Sequence, residues 1–158
     1  GDPLIADEAV AVLCDRLMPH VRLVTPNLPE AARLLGDAVA DTPAAVEAQA
    51  RRLLALGPEA VLLKGGHGQG PESADYLLDR SGGRWLSAPR IATNNTHGTG
   101  CTLSSAIAAG LASGLALEDA VAAAKVYITA AIAAADRLKI GSGRGPVHHF
   151  HAWWPAEA

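Results

Sequence analysis

The sequence is poor in aromatic residues, in cysteine and in clustered charge. Aromatic side chains make up only 4% of the 158 residues against 49% apolar residues, so the core must be built from aliphatic side chains and alanine. A formal charge of −3, with no basic run, argues against a nucleic-acid-binding protein. The length is enough for one domain with a hydrophobic core, and we expect residues 1–158 to form a single, partial domain.

The scarcity of cysteine and of long apolar runs indicates the cellular setting. Cys14 and Cys101 lie in such different contexts that we expect no disulfide framework, which favours a reducing, cytoplasmic location. The longest apolar run, residues 126–135, is too short to cross a bilayer, so we predict no membrane association. The chain opens on Gly1 without a signal-peptide pattern and reads like the middle of a loop. We therefore expect a trimmed or fragmentary chain.

The most informative stretch is the glycine-containing segment at residues 94–102. Gly98 and Gly100 have no Cβ, so the backbone can adopt unusual dihedral angles and approach a ligand closely. A helix follows, and its first N–H groups have no intrahelical partner, which favours an anion such as phosphate. Cys101 lies at this helix start, where a thiol is more easily deprotonated. The structural alternatives are a plain glycine cap and a small buried cysteine.

The alternation of strands and helices predicts an α/β fold with a parallel sheet covered by helices. Hydrophobic spacing predicts helices at residues 8–18 (capped by Asp7), 29–35, 43–56, 99–113 and 117–138. Strands are predicted at residues 21–25 and 60–64, with a hairpin of 75–79 and 84–87 around Ser81-Gly82-Gly83. Polar clusters follow strands at residues 25–27, 64–66 and 94–102, and we expect them to converge on one edge of the sheet.

Several candidate residues also fit a purely structural interpretation. Asn27 and Glu30 have the spacing of a helix capping box, which needs no ligand and which the local pattern alone favours. Lys64 fits equally well as a solvated strand end. The histidines at 148, 149 and 151 lack a suitably spaced Cys, Asp or Glu partner, so we interpret them as part of an extended tail and not as a metal site.

Four segments, in the same order along nearly the whole chain, resemble one enzyme family. They are residues 25–31, 63–67, 95–104 and 141–150. The chain resembles the hydroxymethylpyrimidine/phosphomethylpyrimidine kinases of thiamine biosynthesis, members of the ribokinase-like superfamily. The run from Asn95 to Thr102 is the most specific part of the match, because most sugar kinases of that superfamily have Asp where this chain has Cys101. The resemblance implies a ribokinase-like, mostly parallel sheet flanked by helices.

The resemblance implies transfer of the ATP γ-phosphate to the hydroxymethyl group of an aminopyrimidine, and then a second transfer onto its monophosphate. Phosphoryl transfer depends on positioning and charge stabilisation more than on covalent catalysis. By resemblance, Gly98, Thr99, Gly100 and the backbone N–H of Cys101 form the anion hole around the transferred group. Cys101 would accept the proton of the attacking hydroxyl, the role that sugar kinases give to their Asp.

The resemblance also implies a nucleotide and metal side of the site. Lys64 would contact the ATP phosphates, and the Asn27/Glu30 pair would organise Mg²⁺ and its waters, in keeping with the preference of Mg²⁺ for oxygen ligands. The nucleotide-binding set implied in this way is Asn27, Lys64, Thr96, Gly98 and Gly100. The expected partners are therefore ATP, Mg²⁺ and a small pyrimidine, with a homodimer for the intact enzyme, since the family forms dimers.

The chain departs from this family in its length. Members have a considerably longer chain, whose N-terminal segment supplies early strands and most of the pyrimidine pocket, and we find no counterpart of it here. We expect this chain to be the nucleotide-side half, active only with the remaining part. Two alternatives stay open: a pyridoxal-type kinase of the same superfamily, and a non-catalytic fragment that binds nucleotide. A cysteine-dependent hydrolase is disfavoured, because it would not need Lys64 or the Asn27/Glu30 pair.

Overall fold

The computed structural model describes residues 6–66 and 70–154. Its contacts divide the chain into two compact units, Gly1–Ser87 and Ala88–Ala158, each of which is described by itself. In the described ranges, no helix combines the length and the apolar character needed to cross a bilayer. The prediction of one domain over residues 1–158 stays a prediction.

The first unit begins with a short helix that changes its winding before it ends. Helix α1 covers Asp7–Val12, a π-helical stretch follows at Leu13–Leu17, and a 3₁₀ turn closes the segment at Met18–His20. The prediction of one regular helix over residues 8–18 is therefore wrong, and the residue before the helix is Ala6 and not Asp7. Pro19 has no N–H to continue a helical ladder, and the backbone becomes extended at Val21.

The strand predicted at residues 21–25 is present only as an extended segment. It runs parallel to strand β1, Ala60–Leu63, through isolated bridges that pair Val24 with Val61 and Asn27 with Lys64. The bonds between the segments include Leu62 N–H to Val24 O (2.8 Å) and Lys64 N–H to Pro26 O (2.9 Å). Pro26 lacks an N–H, so this segment cannot form an uninterrupted ladder of its own.

Three strands form a sheet in the order β1-β2-β3, with β2 at Glu72–Asp79 and β3 at Gly82–Pro89. The predicted hairpin is confirmed, although its turn is Arg80-Ser81 and Gly82 already begins β3. β1 and β2 pair antiparallel, with Leu62 opposite Leu77. Where the sequence predicts mostly parallel pairing, the described sheet is antiparallel. Among the described residues, parallel pairing occurs as isolated bridges, two of them beside β1 and one between His97 and Pro146 in the second unit.

Two helices pack together in the first unit. Helix α2 spans Leu28–Leu35 and ends at Gly36, whose left-handed backbone (φ 66°) suits glycine. Helix α3 spans Pro43–Ala55, and its cap residue Thr42 accepts the Ala45 N–H at 3.2 Å. Helix α3 packs against β1 and β2, and α2 packs against α3. The buried cluster between helices and strands is aliphatic and alanine-rich, as the composition predicts: Leu28, Ala31, Ala40, Val46, Ala50, Leu53, Val61, Leu63, Tyr76 and Leu78.

The second unit is built on a helical pair. Helix α4 spans Thr99–Ala112 and packs against helix α5, Leu117–Ala133, after which one 3₁₀ turn covers Ala135–Arg137. A Cβ at Gly110 would lie 3.1 Å from the Ala120 Cβ, so glycine permits the close approach of the two helices. The predicted helix start at Thr99 is confirmed, whereas α5 ends earlier than the predicted residue 138.

Candidate active site

The predicted anion-binding segment forms a loop that turns directly into α4. We call residues 94–102 the anion loop. Gly98 has φ 84°, a left-handed conformation that glycine adopts without a Cβ clash, and it caps α4. The Gly98 carbonyl accepts the Thr102 N–H at 2.8 Å, which is the first hydrogen bond of the helix. The glycine is therefore needed to reverse the chain into the helix at this point.

Two N–H groups in the first turn of α4 have no acceptor among the described residues, those of Gly100 and Cys101. The preceding residue differs, because the Thr99 N–H (3.3 Å) and the Thr99 hydroxyl (2.8 Å) both donate to the Thr96 carbonyl. The Thr99 donors, which were expected to face a bound anion, therefore bond to the loop itself. Unpaired N–H groups at the positive end of a helix favour an anion, so Gly100 and Cys101 supply the donors here.

Cys101 is exposed and is the third residue of α4. It lines an open depression of about 810 Å³ that runs along α4 and α5 and ends at the C-terminal tail. The other residues around this depression are His97, Gly98, Thr102, Ser105, Ala106, Ala109, Ala123, Ala124, Tyr127, Pro146, His149 and Trp153. An exposed thiol at the rim of a mostly apolar depression has the access that a proton acceptor for a bound alcohol requires.

In the first unit, Asn27, Glu30 and Lys64 lie together. Glu30 N–H donates to Asn27 Oδ1 (2.8 Å) and Asn27 N–H donates to Glu30 Oε2 (2.7 Å), so the capping box predicted as the structural alternative is present. Lys64 Nζ lies 4.0 Å from the same Glu30 oxygen. The lysine side chain is only 17% exposed, whereas that of Glu30 is 56% exposed. The box uses one carboxylate oxygen, and the exposed position leaves the other accessible to a ligand.

Sequence reasoning did not identify Asp75, which fixes the loop after Lys64. Asp75 is buried in β2, and its Oδ1 accepts the Gly65 N–H at 2.8 Å. A Cβ at Gly65 would lie 1.8 Å from the Ala74 carbonyl oxygen, so glycine is required for this approach. The sequence does contain a signal for it. Asp75 precedes the apolar run Tyr76-Leu77-Leu78, and a carboxylate buried with such a run needs a hydrogen-bond partner.

The histidine-rich tail forms an aromatic cluster. The Phe150 and Trp154 rings stack at 5.1 Å, and His148 meets Trp154 edge-on at 5.4 Å. Burial, followed by the charge of Arg137, lowers the pKa of His148. Within the part of the chain that the structure describes, no three His, Cys, Asp or Glu side chains are grouped to hold a metal ion. His67, which belongs to the motif after Lys64, lies outside the described residues.

The predicted site residues therefore occupy two places, one in each unit. Asn27, Glu30 and Lys64 meet beside β1, and two of the three polar clusters expected at one sheet edge, residues 25–27 and 64–66, are adjacent there. Thr96, Gly98, Thr99, Gly100 and Cys101 meet at the start of α4 in the second unit. The first place offers a cation and a carboxylate, and the second offers N–H donors and a thiol.

The chain matches known proteins over most of its length. The family model described as phosphomethylpyrimidine kinase matches residues 1–148. A hydroxymethylpyrimidine/phosphomethylpyrimidine kinase of Rhizobium meliloti is 55% identical over 154 residues, which are 98% of this chain and 58% of that protein. The chain thus spans somewhat over half the length of this relative.

Two solved structures show a similar fold. The ADP complex of Bacillus subtilis pyridoxal kinase has a TM-score of 0.88 at 34% identity, with 95% of this chain and 58% of that chain covered. A phosphomethylpyrimidine kinase of Clostridium difficile has a TM-score of 0.67 at 36% identity, with 84% and 52% covered. The fold is therefore shared with kinases of two different substrate classes.

Proposed function

The chain belongs to the phosphomethylpyrimidine kinase family, and from this membership we propose that it serves the ATP-dependent phosphorylation of 4-amino-5-hydroxymethyl-2-methylpyrimidine and of its monophosphate in thiamine diphosphate biosynthesis. The observation that carries the proposal furthest is the start of α4. There an exposed thiol and two unpaired N–H groups lie within one helical turn, on the motif by which the chain resembles this family. ATP as the phosphoryl donor is supported by the kinase family and by the ADP complex of the pyridoxal kinase.

In the proposed reaction, the substrate hydroxyl oxygen attacks the γ-phosphorus of ATP while the bond from that phosphorus to the bridging oxygen of ADP breaks. Cys101 Sγ, as a thiolate, accepts the proton that the hydroxyl loses. The N–H groups of Gly100 and Cys101 stabilise the charge on the transferred group, and ADP leaves with the bridging oxygen. Lys64 contributes a positive charge toward the ATP phosphates, and Thr96 supports the loop through its carbonyl.

Mg²⁺ belongs to this proposal through Asn27 and Glu30. Both side chains offer oxygen atoms, and the Glu30 carboxylate is exposed with one oxygen outside the capping box. This donor set fits a hard cation that keeps its waters. The bound cation would neutralise phosphate charge, while the protein's part is to hold Glu30 at the helix start through the bond from the Asn27 N–H.

Pyridoxal phosphorylation is the second candidate, because a pyridoxal kinase superposes on this chain with a TM-score of 0.88. The fold does not discriminate, since a phosphomethylpyrimidine kinase shares it as well. Sequence favours the pyrimidine, because a relative named for it is 55% identical whereas the pyridoxal kinase is 34% identical. Nucleotide binding without transfer is the third candidate. The homodimer and the cytoplasmic location stay predictions.

The test is a Mg-ATP-dependent assay of the purified chain, alone and supplemented with the part of the Rhizobium meliloti relative that it does not cover, with the hydroxymethylpyrimidine, its monophosphate and pyridoxal as separate substrates. Release of ADP together with the phosphorylated pyrimidine supports the proposal, and the matched control is Cys101→Ser, which keeps the side-chain shape and loses the basic sulfur. Phosphorylation of pyridoxal alone favours the second candidate. Binding of the ATP analogue AMP-PCP without turnover of any substrate favours the third.

A further inference from the structure

One side chain of the anion loop links three segments of the second unit. Asn95 Nδ2 donates to Asp136 Oδ1 at 2.9 Å, and Asn95 Oδ1 accepts the Gly145 N–H at 3.0 Å. The Asn95 N–H also donates to Thr93 Oγ1 at 3.1 Å, and the Thr93 hydroxyl donates to the same Asp136 oxygen. Asn95 thus connects the anion loop to the turn after α5 and to the glycine-containing segment at residues 141–145.

The two ends of the Asn95 amide meet partners of opposite hydrogen-bonding character. Nδ2 donates to Asp136 and, at 3.5 Å, to the Ala135 carbonyl, whereas Oδ1 accepts from Gly145. Asp136 is a carboxylate and only accepts, whereas the Gly145 N–H only donates. Both bonds therefore fix the same orientation of the amide, and among side chains of this length only an amide provides a donor and an acceptor at its two ends. An Asp at position 95 would keep the acceptor toward Gly145 but would set two carboxylates against each other.

The contact between Asn95 and residue 145 requires a glycine at position 145. A Cβ on Gly145 would lie 2.2 Å from Asn95 Oδ1 and 2.7 Å from its Cγ, so a side chain there would displace the amide. The Gly145 carbonyl in turn accepts the His97 N–H at 3.0 Å, and the Val147 N–H donates to the His97 carbonyl at 3.3 Å. The tail segment is therefore bonded to the anion loop on both sides of Thr96.

Asn95 is also connected, through Thr96, to the unpaired N–H groups of Gly100 and Cys101. Asn95 is bonded covalently to Thr96, whose carbonyl accepts both donors of Thr99, the first residue of α4. Gly100 and Cys101 follow immediately. A shift of Asn95 would therefore move Thr96, then the helix start and its unpaired N–H groups. Asn95 itself is half-buried and belongs to none of the groups placed on the reacting atoms.

We propose that Asn95 is a positioning residue, held by Asp136, that locks the anion loop and the segment at residues 141–147 into one unit and so sets the position of the Gly100 and Cys101 N–H groups. Its effect on turnover rests on the proposed function. Its effect on the coupling of the two segments is independent of the proposed function. Turnover and coupling are therefore tested separately.

The turnover test uses an exchange of the two side chains. Asn95→Asp alone should lower kcat by about 10²-fold, the cost of a displacement of about 1 Å at a reacting centre. Adding Asp136→Asn restores one amide and one carboxylate, and should recover kcat by at least about tenfold. Ser113→Asp, which adds the same charge at an exposed position beyond the other end of α4, should stay within about twofold. Ile107→Val destabilises the buried face of α4 and shows what a loss of stability alone does to kcat.

The coupling test measures amide hydrogen exchange in the full 158-residue chain. Asn95→Ala removes the acceptor of the Gly145 N–H. Asp136→Ala removes the acceptor shared by Asn95 Nδ2 and the Thr93 hydroxyl, and leaves Asn95 Nδ2 only the longer bond to the Ala135 carbonyl (3.5 Å). Both should raise the exchange rate of the Gly145 N–H by about tenfold, in the range of one lost hydrogen bond. The second variant is decisive, because Asp136 makes no bond to Gly145.

Faster exchange in both variants, with loss of kcat in Asn95→Asp and recovery in the exchanged pair, supports the proposal. Unchanged Gly145 exchange in Asp136→Ala overturns it, as does an Asn95→Asp variant with wild-type kcat. If the wild-type chain turns over no substrate even when supplemented with the part of the relative that it does not cover, the proposed function fails and AMP-PCP affinity replaces kcat. A tenfold loss in Asn95→Asp then supports the positioning role, and an unchanged affinity overturns it.

Discussion

Replacing Glu30 by glutamine separates the two roles of this side chain. The Asn27 N–H donates to Glu30 Oε2 at 2.7 Å, and a glutamine oxygen accepts the same bond, so the capping box survives. The ion pair with Lys64 at 4.0 Å is lost, but Glu30 is 56% exposed and an exposed pair contributes only about 0–1 kcal/mol. For a domain of this size, we therefore expect the Tm to fall by less than about 4 °C.

The effect on the cation should be larger. A carboxylate that acts on Mg²⁺ through a water, at roughly 5 Å, contributes about 1.7 kcal/mol even at the dielectric constant of water. We therefore expect Glu30→Gln to raise the Mg²⁺ concentration for half-maximal turnover by roughly 20-fold, measured by titrating Mg²⁺ at saturating ATP.

Two further variants serve as comparisons for Glu30→Gln. Glu30→Ala breaks the capping box as well and should lower the unfolding free energy by about a further 1 kcal/mol. Glu59→Gln removes an exposed charge elsewhere in the first unit and should leave the Mg²⁺ dependence unchanged. An unaltered Mg²⁺ dependence in Glu30→Gln would refute the reasoning, because Glu30 would then act only as a helix cap.

Three further changes test other residues. Cys101→Ala should lower turnover by about 10²- to 10⁴-fold with unchanged AMP-PCP affinity, because it removes a general base, and unaltered turnover would show that Cys101 is not the base. Lys64→Ala should raise the KM for ATP and lower kcat together in steady-state kinetics, and wild-type values of both would place Lys64 outside the site. Because the pKa of His148 is lowered, chiefly by burial, the unfolded state binds the proton first and the unfolding free energy should fall as the pH drops below 6.5. His148→Gln should flatten this decline between about pH 7.5 and about pH 5 in urea denaturation, and a wild-type slope in the variant would contradict the assignment.

The elements that sequence predicts best are those with local signals at their ends. Thr42-Pro43 marks the start of α3, Gly36 marks the end of α2, and the glycine-containing run marks the start of α4. The Asn27/Glu30 capping box follows from spacing alone. In each case the residues that determine the structure lie within a few positions of each other, so a short stretch of sequence is enough to predict it.

The elements that sequence predicts less well depend on distant contacts. The expected strand at residues 21–25 is reduced to bridges beside β1, because Pro26 interrupts its hydrogen bonding. Asp75 and Asn95 bond to residues 10 and 41 to 50 positions away, and a short local pattern does not contain such partners. The hydrogen bonds of Thr99 were also not predicted, because its donation to the Thr96 carbonyl depends on the conformation of the loop.

The measurement that tests the account most directly is competition between the two substrate classes. The chain, supplemented with the part of the Rhizobium meliloti relative that it does not cover, is incubated with Mg-ATP and equal concentrations of the hydroxymethylpyrimidine and pyridoxal. Both phosphorylated products are followed by mass spectrometry. The account predicts a kcat/KM ratio in favour of the pyrimidine and loss of that product in Cys101→Ser. Preferential phosphorylation of pyridoxal, or pyrimidine phosphorylation that persists unchanged in Cys101→Ser, would contradict it.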